Sequence, residues 1–217
     1  MRRPSLRRPT SEELRQAAAR AQDGAGRAVT SALTPLGSAL RSRRAGDARS
    51  IAHRRELDAP TTILVTSPAF ADGQEIPARH CGPGIGESIS PALAWDGVPT
   101  GTRRLLIVLE DLDHPSARHT GILAAAVLEA TGAEGALPEG WFSRDNPALT
   151  WLKDYRGRRG YIAPRPLPGH GAHRYVVHVV AIDTPITPPP GSDLTELVPM
   201  LAGRVTARGR LTGTRSA

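Results

Sequence analysis

The sequence predicts a mainly β protein: an antiparallel sandwich with few short helices, preceded by a partly helical N-terminal arm. Three observations carry that expectation. From residue 59 onward, short apolar runs rich in valine, isoleucine and leucine alternate with proline- and glycine-rich connections. Helical patterning is confined to residues 14–40 and to a stretch near Thr195–Ala202. No internal repeat and no strand–helix–strand alternation occurs, which argues against a parallel doubly wound sheet. The chain of 217 residues accommodates one domain plus an appendage. The expected boundaries are 1–58 for a basic arm and linker and 59–217 for the sandwich.

Charge separates the same two parts. The whole chain carries +7, which by itself suggests a nucleic-acid binder. Residues 1–55, however, hold 13 arginines and 4 acids, whereas the remainder holds 15 basic residues and 17 acids. The excess positive charge belongs to the arm, so the overall charge says nothing about the folded domain. Cys81 is the single cysteine, so no intrachain disulfide forms. No apolar run approaches the roughly 20 residues of a membrane span. The basic start has no apolar signal core, and the expected location is cytoplasmic, with peripheral membrane contact through the arm.

Taken in order, residues 1–9 are basic and broken by proline. Thr10 or Ser11 caps a helix whose first turn carries Glu12 and Glu13. Residues 14–40 form one or two frayed amphipathic helices interrupted by Gly24, Gly26, Pro35 and Gly37, and 41–58 read as a linker. Three roles stand open for the arm: a solvated tail, a surface that packs on a partner, or an electrostatic tether. The tether would hold anionic lipid or nucleic acid through Arg2, Arg3, Arg7, Arg8, Arg41, Arg43 and Arg44. Thr61–Thr66 is a β-branched strand ended by Ser67-Pro68. Asp72-Gly73 marks a turn, Ile76-Pro77 an extended piece, and residues 81–86 a loop. Ser90–Trp95 is a short strand, and Gly121–Leu128 is a central strand despite its alanines. Residues 131–160 are rich in turns. Arg174–Ile182 is the clearest strand, and Val205–Thr214 alternates like an edge strand.

The stretch around which the domain is organised is Leu105–Pro115. Five uninterrupted apolar residues read as a strand buried on both faces. It runs directly into Glu110, Asp111 and Asp113, then His114, Pro115 and, a little later, His119. A second cluster, Gly160–Tyr175, packs prolines and glycines ahead of His173 and Tyr175 at the mouth of the best strand. Two loops at strand ends therefore carry Asp, His, Pro and Tyr, where a rigid scaffold can hold them. The plain alternative is a solvated acidic loop. Two acids with scattered histidines match no standard metal-ligand spacing. No Gly-x-Ser-x-Gly elbow is present, so neither a metal centre nor an enzyme is expected. His170 and His178 read as a loop residue and a strand residue.

The motifs together resemble the phosphatidylethanolamine-binding protein family, in its bacterial Raf-kinase-inhibitor-like branch. Carrying the resemblance are Ser67-Pro68-Ala69-Phe70, the stretch Ser88–Trp95 followed by Gly97-Val98-Pro99, and Asp111-Leu112-Asp113-His114-Pro115. His119, Leu137-Pro138-Glu139-Gly140, Gly169–Tyr175 and Gly209–Thr214 complete it. The resemblance covers about residues 60–215 and implies a Greek-key β-sandwich with a small pocket for phosphate-like or carboxylate anions. Its lining, carried over by position, is Asp111, Asp113, His119, Pro164, His173 and Tyr175. Imidazole and phenol groups would donate to the anion, and the two aspartates would orient and charge the histidines. The implied function is non-catalytic, cofactor-free binding of a small anion or phospholipid headgroup. The alternative is a protein-interaction regulator of a kinase or protease, with an altered pocket. Leu112, His114, Thr120 and Ala163 depart from the family pattern, in which the last position is glycine.

Overall fold

Residues 32–116 and 118–217 are described by a computed structural model. Residues 32–39 are helical (α1). Nine strands follow: β1 (Thr61–Thr62), β2 (Leu64–Thr66), β3 (Leu93–Asp96), β4 (Arg104–Asp111), β5 (Gly121–Glu129), β6 (Gly135–Leu137), β7 (Thr150–Trp151), β8 (His173–Ile182) and β9 (Val205–Arg215). A short helix, α2 (Leu194–Met200), precedes β9. The expected readings of residues 1–31, including Arg2, Arg3, Arg7 and Arg8, lie outside the described residues.

The strands form two layers, a six-stranded sheet ordered β1-β9-β8-β4-β5-β7 and a three-stranded sheet ordered β2-β3-β6. One expectation needs correction: the large sheet is mixed, because β1 pairs with β9 in parallel. The stretch expected as one strand over 61–66 divides at Ile63 between the two sheets. Its direction along β9 is set by the need to run straight on into β2. The crossing requires Gly209, where a Cβ atom would stand 2.0 Å from the Ile63 carbonyl oxygen. Nor is β9 an edge strand, since β1 and β8 flank it.

The unbroken apolar run of β4 now has its cause. Leu105, Ile107 and Leu109 enter the core between the sheets, while Leu106 and Val108 face the opposite side. There Leu194, Leu197, Val198 and Leu201 from the α2 region cover them. Asp193 caps α2 and forms a capping box with Glu196, which fixes the angle at which that helix meets the sheet.

Residues 41–58 are not a linker. Three 3-10 turns, Asp47–Arg49, Ile51–His53 and Arg55–Leu57, lie on the outer face of the large sheet. Leu57 is fully buried there, a contribution of about 1.5–3 kcal/mol. Ser50 Oγ and the Ile51 amide both donate to Glu110. Arg41 donates to the Gly169 carbonyl. Arg44 donates to the carbonyls of His170 and Ala172 and pairs with Asp113. These two arginines, expected as part of an electrostatic tether, are engaged within the chain. The segment escaped sequence reading because it is held by polar side chains and backbone groups rather than by an apolar stripe. Among the described residues, no helix is long and apolar enough to cross a membrane.

Candidate functional site

The end of β4 and the start of β8 are paired neighbours, with Asp111 opposite Tyr175. A register shift between β4 and β5 falls at Leu109/Glu110, so Leu123 of β5 is the extra residue, while the pairing of β4 with β8 runs unbroken to Asp111. His173 lies two positions from Tyr175, the partner of Asp111, and so shares its face of the sheet. His173 Nδ1 donates to both Asp111 carboxylate oxygens at 2.9 and 3.1 Å.

The other nitrogen of His173 is also engaged. Its Nε2 lies 2.7 Å from Nδ1 of His170, and His170 Nε2 lies 2.9 Å from the Arg43 carbonyl oxygen. These three hydrogen bonds require three protons, because the carbonyl can only accept. A carboxylate and two neutral imidazoles supply two. The full set of bonds therefore calls for one proton more. His173 has no nitrogen left for a ligand, which corrects its expected role as a direct donor. It forms part of the cleft floor instead.

Asp111 and His173 line an open cleft of about 680 Å³, together with His114, Tyr155 and Ile162. The half-buried His114 ring stacks on His119 at 5.8 Å and meets the Tyr155 ring edge-on at 4.8 Å. Its nitrogens make no hydrogen bond among the described residues. Burial pushes the His114 imidazole below its ordinary value; His119, His173 and Arg156 add to that, and Asp111 opposes it. Arg144, Arg156, Arg158, Arg159 and Arg165 complete the walls. The cleft thus offers an uncommitted imidazole and a surplus of guanidinium groups.

The remaining expected site residues are placed differently. Asp113 turns away from the cleft and accepts from Arg174 Nε and NH2 at 2.8 and 3.0 Å, from the Arg174 amide and from Arg44. Burial alone would raise its carboxyl, but these charged donors hold it at about 2. Asp113 therefore braces the loop and charges no histidine. His119 is exposed and donates through Nδ1 to the Thr120 carbonyl, touching the site only by its stack on His114. Tyr175 is fully buried, and its hydroxyl has no hydrogen-bond partner among the described residues. With Pro164 it lines an apolar void of about 30 Å³ behind the cleft, so Pro164 is no wall of the anion site.

Three features escaped sequence reading. His114 stands in the motif, but the resemblance carries no ligand role over to it. His170, expected as a loop residue, is fully buried and bonded to His173. Glu110, also fully buried, collects Ser50, Ile51, Thr120 and His178 on the outer face of the sheet. Strict alternation along β4 signals that last one, since Glu110 shares a face with Leu106 and Val108 rather than with Asp111. Among the described residues no group of acids, histidines and cysteines is arranged to hold a metal ion.

A family model described as phosphatidylethanolamine-binding protein matches residues 66–216. A UPF0098 protein of Methanothermobacter thermautotrophicus is 33% identical over 153 residues, covering 67% of this chain and 93% of that protein. The UPF0098 protein YbhB of Escherichia coli is 34% identical over 119 residues, covering 52% of this chain and 73% of that protein. Two crystal structures are similar, those of a phosphatidylethanolamine-binding protein homolog, CT736, from Chlamydia trachomatis and of E. coli YbcL. Their TM-scores are 0.63 and 0.64 and their identities 27% and 25%; each match covers 72% of this chain and 99% of the other.

Proposed function

The chain belongs to the phosphatidylethanolamine-binding protein family, and we propose that it binds a small phosphate-bearing anion, such as a phospholipid headgroup, without chemically altering it. The observation that carries this reading is the free ring of His114 beside the Asp111–His173 pair, in a cleft walled by guanidinium groups. A phosphate at the cleft floor accepts from the imidazole and from arginine forks, both charge-assisted bonds. Asp111 is kept from repelling it by its pairing with His173.

Binding without turnover is supported by the state of three potential nucleophiles, none of which lines the cleft. The Ser50 and Thr120 hydroxyls both donate to Glu110 rather than to an imidazole. The Cys81 thiol is fully buried, and burial pushes its pKa up, which disfavours the nucleophilic thiolate. In this reading the protein works in the cytoplasm, meeting membranes only at their surface.

Calorimetric titration of the full chain with inorganic phosphate and with phosphoethanolamine tests the proposal. Saturable binding is expected, weakened by about tenfold in His114→Ala. A chain that stays folded yet shows no saturable heat with either probe, at any pH from about 5 to 8, would overturn it.

A further inference from the structure

From the turn built on Asp154, we infer that the cleft contains a second anion-binding subsite and that its ligand carries two separated anionic groups. This inference rests on the anion-binding reading above and adds the class of ligand. Asp154 is buried. Its Oδ1 accepts from the amides of Arg156 and Arg158, at 2.6 and 2.9 Å, and its own amide donates to the Arg158 carbonyl. Gly157, at φ 75°, closes the turn in a conformation that favours glycine. One buried carboxylate thus fixes the backbone that presents Arg156, Arg158 and Arg159 to a single wall of the cleft.

These cations are poorly compensated. The acidic side chains lining the cleft are Asp111 and Asp154. Asp111 is engaged by His173. Asp154 Oδ2 lies 3.5 Å from Arg158 Nε, close enough to tether the guanidinium but without a hydrogen bond. Arg156 packs over the Tyr155 ring at 5.0 Å. Arg144 spends its Nε on the Arg159 carbonyl, leaving its terminal nitrogens uncommitted. The side chains of Arg159 and Arg165 make no hydrogen bond or ion pair among the described residues. Five like charges around one cleft repel each other and raise the local concentration of anions.

The spacing narrows the ligand class. Tyr155 touches both His114 and Arg156, which places the imidazole of the floor and the guanidinium of the wall within about 10 Å of one another. A phosphomonoester offers three terminal oxygens, too few to take a fork from each of the arginines lining the cleft and a bond from His114 as well. Two phosphates on one small scaffold of that reach engage floor and wall together, whether the scaffold is a soluble sugar bisphosphate or a lipid headgroup carrying an extra phosphomonoester.

The test compares fructose 1,6-bisphosphate with fructose 6-phosphate by calorimetry on the full chain. The bisphosphate is expected to bind at least about tenfold more tightly. The exposed double variant Arg158→Ala/Arg159→Ala should remove that advantage, so that the two sugars bind the variant with affinities within about twofold of each other. Asp154→Ala separates a built subsite from diffuse attraction. It makes the cleft more positive, so diffuse attraction predicts tighter bisphosphate binding, whereas loss of the turn predicts weaker binding. Co-sedimentation with phosphatidylcholine vesicles, with and without a bisphosphorylated inositol lipid, assigns the source: binding lost in the double variant marks a lipid ligand, and binding to the sugar alone a soluble one. Equal affinity for the two sugars would overturn the second subsite and leave the anion-binding reading standing. Failure of both sugars and of inorganic phosphate to bind would overturn both.

Discussion

His170 and His173 lie ring nitrogen to ring nitrogen at 2.7 Å, and through this bond the N-terminal segment reaches the floor of the cleft. The far nitrogen of His170 rests on the carbonyl of Arg43, 127 positions away in sequence. That carbonyl has no proton to give, so it dictates which nitrogen of His170 must donate. The direction of every other hydrogen bond as far as Asp111 follows.

The first prediction counts those protons. Nitrogen-15 NMR of the full chain should show three of the four ring nitrogens of His170 and His173 protonated. Two protonated ring nitrogens would mean that the third proton is absent or resides on Asp111, and the floor would then carry no cationic imidazole.

Affinity for an anion should rise as the solution is made more acidic. In the free protein His114 sits below its ordinary 6.5, chiefly through burial. An anion beside the ring favours the protonated form, so binding takes up a proton. Sulfate is the suitable probe, because it does not itself titrate in this range. Its affinity should climb as pH falls from about 7 through the depressed value of His114 and then level off. His114→Ala should flatten that profile; an unchanged slope would assign the effect to another group.

Asp113 should shape the acid limb of stability. Its folded value of about 2 lies below its ordinary 3.8, so its contribution is complete above the unfolded value and disappears as pH falls through the folded one. Asp113→Asn should lose on the order of 1–2 kcal/mol at neutral pH, reduced from the full linkage figure because Arg174 is half exposed to solvent. The variant and parent curves should converge between about pH 4 and pH 2 in chemical denaturation. Parallel curves throughout would show that the Arg174 pairing contributes nothing.

Residues 41–58 should be needed for stability. Leu57→Ala should cost about 2–4 kcal/mol, because the side chain is fully buried beneath α2 and the outer face of the sheet. Removing residues 1–58 should cost more, since it also strips Ser50 and Ile51 from Glu110 and leaves that buried carboxylate short of donors. Thermal unfolding of the shortened chain at least about 5 °C below the full chain is expected. Coincident melting would restore the reading of a removable arm.

Asp113→Asn, sulfate binding and the deletion together probe how far local sequence reaches in this protein. The main strands were legible because their signals are local. Leu105–Leu109 is apolar at successive positions because both faces of β4 are covered, and Asp193 with Glu196 announces the start of α2 at fixed spacing. The two loops of the site were legible for the same reason, since their residues cluster at strand ends. Tertiary structure alone decided which way each side chain turns. Asp111 and Asp113 are two residues apart in one motif, yet one faces the cleft and the other is gripped by Arg174 and Arg44. His173 became a floor rather than a donor because His170 and the Arg43 carbonyl took its remaining nitrogen. Hydrogen-bond direction in such an array depends on acceptors brought together from distant parts of the chain, and residue spacing along the sequence carries no record of it.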